Sequence, residues 1–173
     1  MQSAYVFSKY VLFFLIYSLL GAVVETLFRL VVDHRLYGIH GFLHLPLFPI
    51  YGFGALLIIF VLRHRVRHPI PLFFSGALLA TTLEFIGSWL IEAIFDDRIW
   101  DYSNMPFNLY GRVSLISSIG FGLGAILLIY FVHPKVEKLI NRIPKMPTVV
   151  IASGVLVVLL TDFVISVIER LNS

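Results

Sequence analysis

An all-α, polytopic membrane fold of five helices is predicted for this chain, and three observations predict it. Hydrophobic residues make up 59% of the sequence and charged residues 13%, with a mean hydropathy of +0.93; soluble domains carry about a quarter charged residues. Five apolar runs, about 11–32, 46–62, 70–95, 109–132 and 147–168, are separated by charged or Pro/Gly-bearing stretches. The basic residues concentrate in alternate gaps between those runs. At 173 residues the chain suits a single integral membrane domain, 1–173.

The same totals exclude several function classes. With no cysteine there is no disulfide, thiolate nucleophile or Cys-ligated metal. A net charge of +3 could suggest nucleic acid, but basic residues placed between apolar runs are explained by membrane orientation, so no nucleic-acid partner is expected. No Gly-Lys-Ser/Thr occurs, so the chain has no P-loop, and the Gly-x-Gly words lie inside apolar runs. Lys9 precedes an apolar run as in a signal peptide, but no small-residue cleavage site follows, and the run reads as a retained first span.

Val11 to Val32 is long enough, at about 1.5 Å per residue, to cross a hydrocarbon core of about 30 Å. Within it Glu25 and Arg29 stand i,i+4 in the favourable order for a helical ion pair. Asp33 to Leu45 is a Gly- and His-bearing loop that stays apolar enough to dip back into the membrane. Pro46 suits the start of the short second span, and Pro49 should distort its first turn. A basic turn, Arg63 to Pro69, leads to the third run, which holds Glu84 and Glu92. A loop dense in Asp, Arg, Trp, Tyr and Asn follows, and the fourth span begins at Leu109. Residues 133–145 form an amphipathic segment for the interface, with Val136, Leu139, Ile140 and Ile143 on one face. The fifth span contains Asp162 and closes on Glu169 and Arg170.

Five spans put the N-terminus, the 63–68 turn and the 133–146 segment on one side. Lys9, Arg63, Arg65, Arg67, Lys135, Lys138, Arg142 and Lys145 fall there, against Arg35, Arg98 and Arg170 on the other, with Arg29 and Arg112 near its boundary. That bias predicts a cytoplasmic N-terminus and an extracytoplasmic C-terminus. Glu25 lies 16 residues past Lys9, Glu84 16 past His68, and Asp162 17 past Lys145. On helices leaving the cytoplasm, all three acids would reach about 24–26 Å, just below the Arg98–Asp101 loop and Arg112.

Ionisable groups at membrane depth are costly unless paired or lining a polar cavity, so they mark a candidate site. Glu25, Glu84 and Asp162 are candidates for binding a cation, relaying protons or holding a cationic substrate group, with Arg112 setting the charge balance; the bland alternative is pairing with Arg29 and Arg112 for packing. Glu92 would stand at the outer rim. Arg98, Trp100, Asp101 and Tyr102 would shape a mouth or belong to an interfacial aromatic belt. His34, His40 and His44 share a loop and are read as solvated rather than metal-bound. No metal and no cofactor are expected. Ser117 and Ser118 have no base adjacent in sequence and read as hydrogen bonds between helices.

Two short words echo each other: Phe48-Pro49-Ile50-Tyr51-Gly52 and Phe107-Asn108-Leu109-Tyr110-Gly111, each after a proline and each read as opening an inward-going span. Together with acids spaced by eight upstream of each, they suggest a parallel two-helix repeat plus one helix.

The words GFLHLPLFPIYGFGALL (41–57), LEFIGSWLIEAIF (83–95) and RIWDYSNMPFNLYGRVSL (98–115) resemble the ABC-transporter type IV (CmpB-like) family of bacterial membrane proteins, over roughly residues 10–132. Leu45, Leu47 and Val113 depart from its usual pattern. The resemblance implies a permease-type protein of a bacterial inner membrane that works with a separate ATPase subunit, and five helices would have to form a homodimer to enclose a path. It carries functional interest to Pro49, Tyr51, Gly52, Glu84, Glu92, Trp100, Asp101, Tyr102, Asn108, Gly111 and Arg112. The expected function is a membrane transporter or permease subunit with an acidic-and-arginine pocket open to the outside. A membrane-embedded enzyme acting on a lipid, with Glu92 and Asp101 as acid or base, and a non-catalytic membrane partner are the alternatives.

Overall fold

The computed structural model describes residues 2–33 and 41–172, without the side chains of residues 28, 29 and 31–33. The expected Glu25–Arg29 pair, His34, His40 and most of the dipping loop therefore lie outside the described residues. Among those described, the chain is all-helical apart from one two-residue ladder. The elements are α1 (Gln2–Asp33), α2 (Pro49–Leu62), α3 (Pro69–Phe95), β1 (Asn108–Leu109), β2 (Val113–Ser114), α4 (Leu115–Leu127), a π-helical turn (Leu128–Val132), α5 (His133–Asn141) and α6 (Lys145–Leu171).

Among the described residues, four stretches are long and apolar enough to cross a membrane: Gln2–Leu27, Pro69–Phe95, Leu115–Asn141 and Lys145–Leu171. The remaining apolar helix, α2, has only 14 residues. It starts at Pro49 rather than Pro46, because proline fits a first helical turn, where its missing N–H costs nothing.

Two compact units divide the chain, residues 1–53 with 136–173, and residues 54–135. In the first, α1 packs on α6, and Leu43, Leu47 and Leu159 form a buried cluster with Phe14, Leu15 and Val155 around it. Gly52 lets the start of α2 lie directly on α1: a Cβ there would collide with Ser18 Oγ and come within 2.8 Å of the Phe14 ring. In the second unit, α3 packs along α4, with Leu72 and Ala125 buried among Ile58, Leu62, Leu79 and Ile126. Serine and threonine fill many buried positions (Ser18, Ser88, Ser114, Ser117, Thr148, Ser166), while Ile70, Phe74 and Leu78 face outward. That inversion suits helices solvated by lipid, where small and polar side chains hold helices together.

The structure changes two expected boundaries. Leu109 does not open the fourth helix. Residues 108–114 form a short hairpin, with Asn108 opposite Ser114 and Leu109 opposite Val113, and α4 starts only at Leu115. There Ser114 Oγ accepts the Ser117 N–H while Ser117 Oγ accepts the Ser114 N–H, a reciprocal cap. At the other end, α4 does not stop at Val132 but runs on through the π turn into α5, so part of the expected interfacial segment belongs to the long helix. Pro134 has no N–H to give the Tyr130 carbonyl, and its ring would crowd that carbonyl in a regular α-turn. Widening the preceding turn, with the His133 N–H on the Leu128 carbonyl, carries the helix past it. Beside this turn Arg63 donates to His133 Nε2 at 2.7 Å and Tyr130 donates to the Arg67 carbonyl at 2.6 Å, which ties down the basic turn.

The two echoing words adopt different structures. Tyr51 and Gly52 lie in the first turn of a helix, whereas Tyr110 and Gly111 lie at the tip of the hairpin, both with positive φ. The expected register of the repeat does not survive that difference.

Candidate functional site

The site grows from one face of α3. Leu72, Gly76, Ala80, Glu84, Ser88 and Glu92 recur every four residues and form a single ridge. Its first half is apolar or small, and Gly76 meets the Ala125 side chain on α4. Its second half is polar and requires polar partners. Alongside it, Thr81 donates to Ser118 Oγ at 2.8 Å, the helix-to-helix bond expected of that serine.

Glu84 is buried at 6% exposure. Tyr102 donates its phenolic O–H to one carboxylate oxygen at 2.9 Å, and Ser117 Oγ lies 3.5 Å from the other. The second distance is at the outer edge of a hydrogen bond, and the same hydroxyl is 2.9 Å from the Ser114 carbonyl, so Tyr102 is the firm donor.

One and two turns further on, Ser88 and Glu92 meet Arg112. Its guanidinium donates to Ser88 Oγ at 3.2 Å and pairs with Glu92 Oε2. Glu92 Oε1 accepts from Arg98 Nε at 3.1 Å and from its terminal nitrogen at 2.9 Å. One carboxylate thus bridges two arginines, and Arg112 is the more buried of them, its side chain 12% exposed against 38% for Arg98.

The loop that delivers these arginines is tightly bonded. Asp96 ends α3 in a left-handed conformation, with its N–H on the Glu92 carbonyl. Trp100 Nε1 donates to the Arg112 carbonyl at 3.1 Å. Asp101 accepts the Ser103 hydroxyl at 2.5 Å and the Ser103 N–H at 2.8 Å, an Asx turn. Asn108 donates to the Ser103 and Met105 carbonyls and accepts the Gly111 N–H at 3.0 Å. Tyr102 is held by its own N–H on the Gly111 carbonyl, 2.7 Å away. Gly111 has φ 68°, and a Cβ there would sit 2.6 Å from Asp101 Oδ1 and collide with Ser103 Oγ. The bound Glu92 carboxylate raises the pKa of Arg98 above its ordinary value, and the Ser103 hydroxyl, helped by its N–H, lowers that of Asp101.

Of the residues expected at the site, the structure therefore gathers Glu84, Glu92, Arg98, Trp100, Asp101, Tyr102, Asn108, Gly111 and Arg112 within residues 54–135. Arg112 pairs with Glu92, and Glu84 takes its firm hydrogen bond from a tyrosine. Glu25 and Asp162 belong to the other unit. There Tyr51 donates to Glu25 at 2.7 Å, and Asp162 accepts from the 41–46 segment. Ser88 was missed from sequence, although its place midway between Glu84 and Glu92 on the same ridge was a usable signal.

Four long apolar helices, with a bonded loop closing the polar end of two of them, define a multi-pass membrane protein. The chain belongs to the family described as Putative ABC-transporter type IV, which matches residues 12–167. The match reaches into the last apolar run, beyond the stretch that carried the resemblance. No curated protein and no solved structure matches the chain.

Proposed function

We propose that this chain is the membrane subunit of a transporter, and that Glu84 receives a proton or the cationic group of the transported species. The observation that carries this reading is a carboxylate buried on a spanning helix whose firm hydrogen bond comes from a neutral phenol. A hydroxyl can turn away to make room for a cation. Glu92, bridged by Arg98 and Arg112, forms the mouth, with Trp100, Asp101 and Asn108 holding the loop over it. In this reading α2 is a fifth, short span. The N-terminus is cytoplasmic, and the C-terminus and the Trp100 loop are extracytoplasmic at a bacterial inner membrane. A homodimer encloses the path, and a separate ATPase drives it; the ATPase is what the family's description suggests.

The test is flux in proteoliposomes that hold the protein with its co-purified ATPase and ATP, with and without an imposed proton or cation gradient. Glu84→Gln keeps the shape and an acceptor for Tyr102 but loses the charge, and it should cut flux at least tenfold while the protein stays folded and monodisperse. Wild-type flux from that variant removes Glu84 from its role. Turnover of a lipid headgroup by the purified protein without any gradient would replace transport with the enzyme reading. A C-terminal reporter active only in the cytoplasm would reverse the orientation.

A further inference from the structure

A second polar cluster lies where residues 41–46 meet α6. The buried face of α6 runs through Thr148, Ala152, Leu159, Asp162 and Ser166, and Glu169 and Arg170 continue it by one turn. Against this face the 41–46 segment sets His44, with both ring nitrogens engaged. Nδ1 is 3.1 Å from Asp162 Oδ1 and 3.0 Å from Ser166 Oγ, and Nε2 is 2.8 Å from Glu169 Oε2. The Asp162 carboxylate also accepts the main-chain N–H groups of His44 at 3.2 Å and Leu45 at 3.1 Å. Arg170 reaches the Gly41 carbonyl at 3.4 Å and lies over the Phe42 ring, 5.2 Å from its centre.

A neutral imidazole has one N–H and one lone pair, so with a carboxylate on each nitrogen one of them would face a lone pair. Only the imidazolium donates to both. The carboxylates stand at opposite edges of the ring and do not converge on a common point for a metal ion. Asp162 occupies the same nitrogen that Ser166 would need as its base, so no activated nucleophile is built here either.

We propose that His44 is a proton-operated clasp: while its ring is charged the 41–46 segment is locked to α6, and loss of the proton releases it. The hydrogen bond to Asp162, then that to Glu169, holds the histidine's pKa above its ordinary value. The facing charged groups on α6 are Asp162, Glu169 and Arg170. Helix α1, packed on α6, brings Lys9 over the Tyr5 ring and Glu25 bonded to Tyr51. Beside the ring, the segment is met by Asp162 at the His44 and Leu45 amides, by Arg170 at the Gly41 carbonyl and Phe42 ring, and by apolar packing of Leu43, Leu45 and Leu47 around Leu159.

Hydrogen–deuterium exchange of the full chain in nanodiscs, normalised to the intrinsic rate at each pH, reads the clasp at the His44 and Leu45 amides. Their protection should fall at least tenfold between pH 6 and pH 9 in the wild type, and His44→Gln should abolish that pH dependence. Glu169 is exposed, so Glu169→Gln should leave α6 intact and move the release to lower pH. Equal protection at both pH values in the wild type overturns the proposal, as does an unchanged pH profile in His44→Gln. If His44→Gln does not fold, release at an unchanged pH in Glu169→Gln overturns it equally.

Discussion

Helices α3 and α6 follow the same plan and are closed by different chemistry. Each presents a ridge that is apolar or small at one end and carboxylate-bearing at the other: Leu72, Gly76, Glu84, Ser88 and Glu92 on α3, Ala152, Leu159, Asp162, Ser166 and Glu169 on α6. Each polar end is answered by a neighbouring loop. The loop over α3 supplies two arginines and a tyrosine, and the segment on α6 supplies a histidine. Guanidinium groups remain charged at any physiological pH, whereas an imidazole does not. The arginine-bridged Glu92 at the end of α3 is therefore a permanent structure, and the α6 end is conditional on pH.

The strongest way to break this comparison is at Arg112. Arg112→Gln strips a largely buried guanidinium from Glu92 and Ser88, leaving the carboxylate with only one of its two arginines. The thermal midpoint in detergent should fall by roughly 5 °C. The drop should be equal at pH 6 and pH 8.5, because neither an arginine nor an ordinary carboxylate titrates in that window. A drop that varied strongly with pH would show that the α3 end is not the permanent one.

Next in size is Gly111→Ala. The left-handed backbone costs an alanine about 1 kcal/mol, and the added methyl meets Asp101 and Ser103 at the same time. The hairpin should loosen, and exchange at the Tyr102 amide, which donates to the Gly111 carbonyl, should rise about tenfold or more with the α3 core unaffected. Unchanged exchange there would mean that the loop is held by Arg112 alone.

These two positions also show what was legible beforehand. The membrane class, the long helices and the family could be read because apolar runs and local words survive without any knowledge of tertiary contacts. Glu92, Arg98, Trp100 and Arg112 could be singled out because a single loop brings them together, so nearness in sequence stands in for nearness in space. The hairpin at 108–114 was hidden because its residues are apolar enough to pass for a span; only Gly111 and the serines of the cap mark it, and each is unremarkable alone. His44 was read as solvated because its partners lie more than a hundred residues away on α6, and no periodicity within the 41–46 segment points to them. The fourth span was expected to end at Val132 because the charged, amphipathic stretch begins there, and the π turn carries the helix on into it.

The α6 end should yield a smaller but pH-dependent effect. A histidine whose folded pKa is raised contributes stability that is complete below its unfolded value, about 6.5, and is lost as pH rises through the folded value. The wild type should therefore melt at a higher temperature at pH 6 than at pH 8.5 by a few degrees, and His44→Gln should lose most of that gap. Because the ring is half exposed, solvent screens the pairs, and the gap should stay below the Arg112→Gln drop. A gap that persists in His44→Gln would assign it to some other group.

The smallest expected effect lies at Asp101 and runs in the opposite direction on the pH axis. Its carboxylate is held by Ser103, and its folded pKa is lowered. Such a group contributes stability that is present above its unfolded value, about 3.9, and is lost as pH falls through the folded value. Ser103→Ala removes the hydroxyl bond but keeps the N–H bond. The acid limb of the stability profile, below about pH 4, should then flatten slightly, with no change at pH 6 to 8.5. Measured beside His44→Gln, it separates the two ends: one loses its contribution as pH rises above the ordinary histidine value, and the other as pH falls below the ordinary carboxylate value. A Ser103→Ala effect at neutral pH as large as that of Arg112→Gln would mean that the turn, rather than the arginine pair, holds the loop in place.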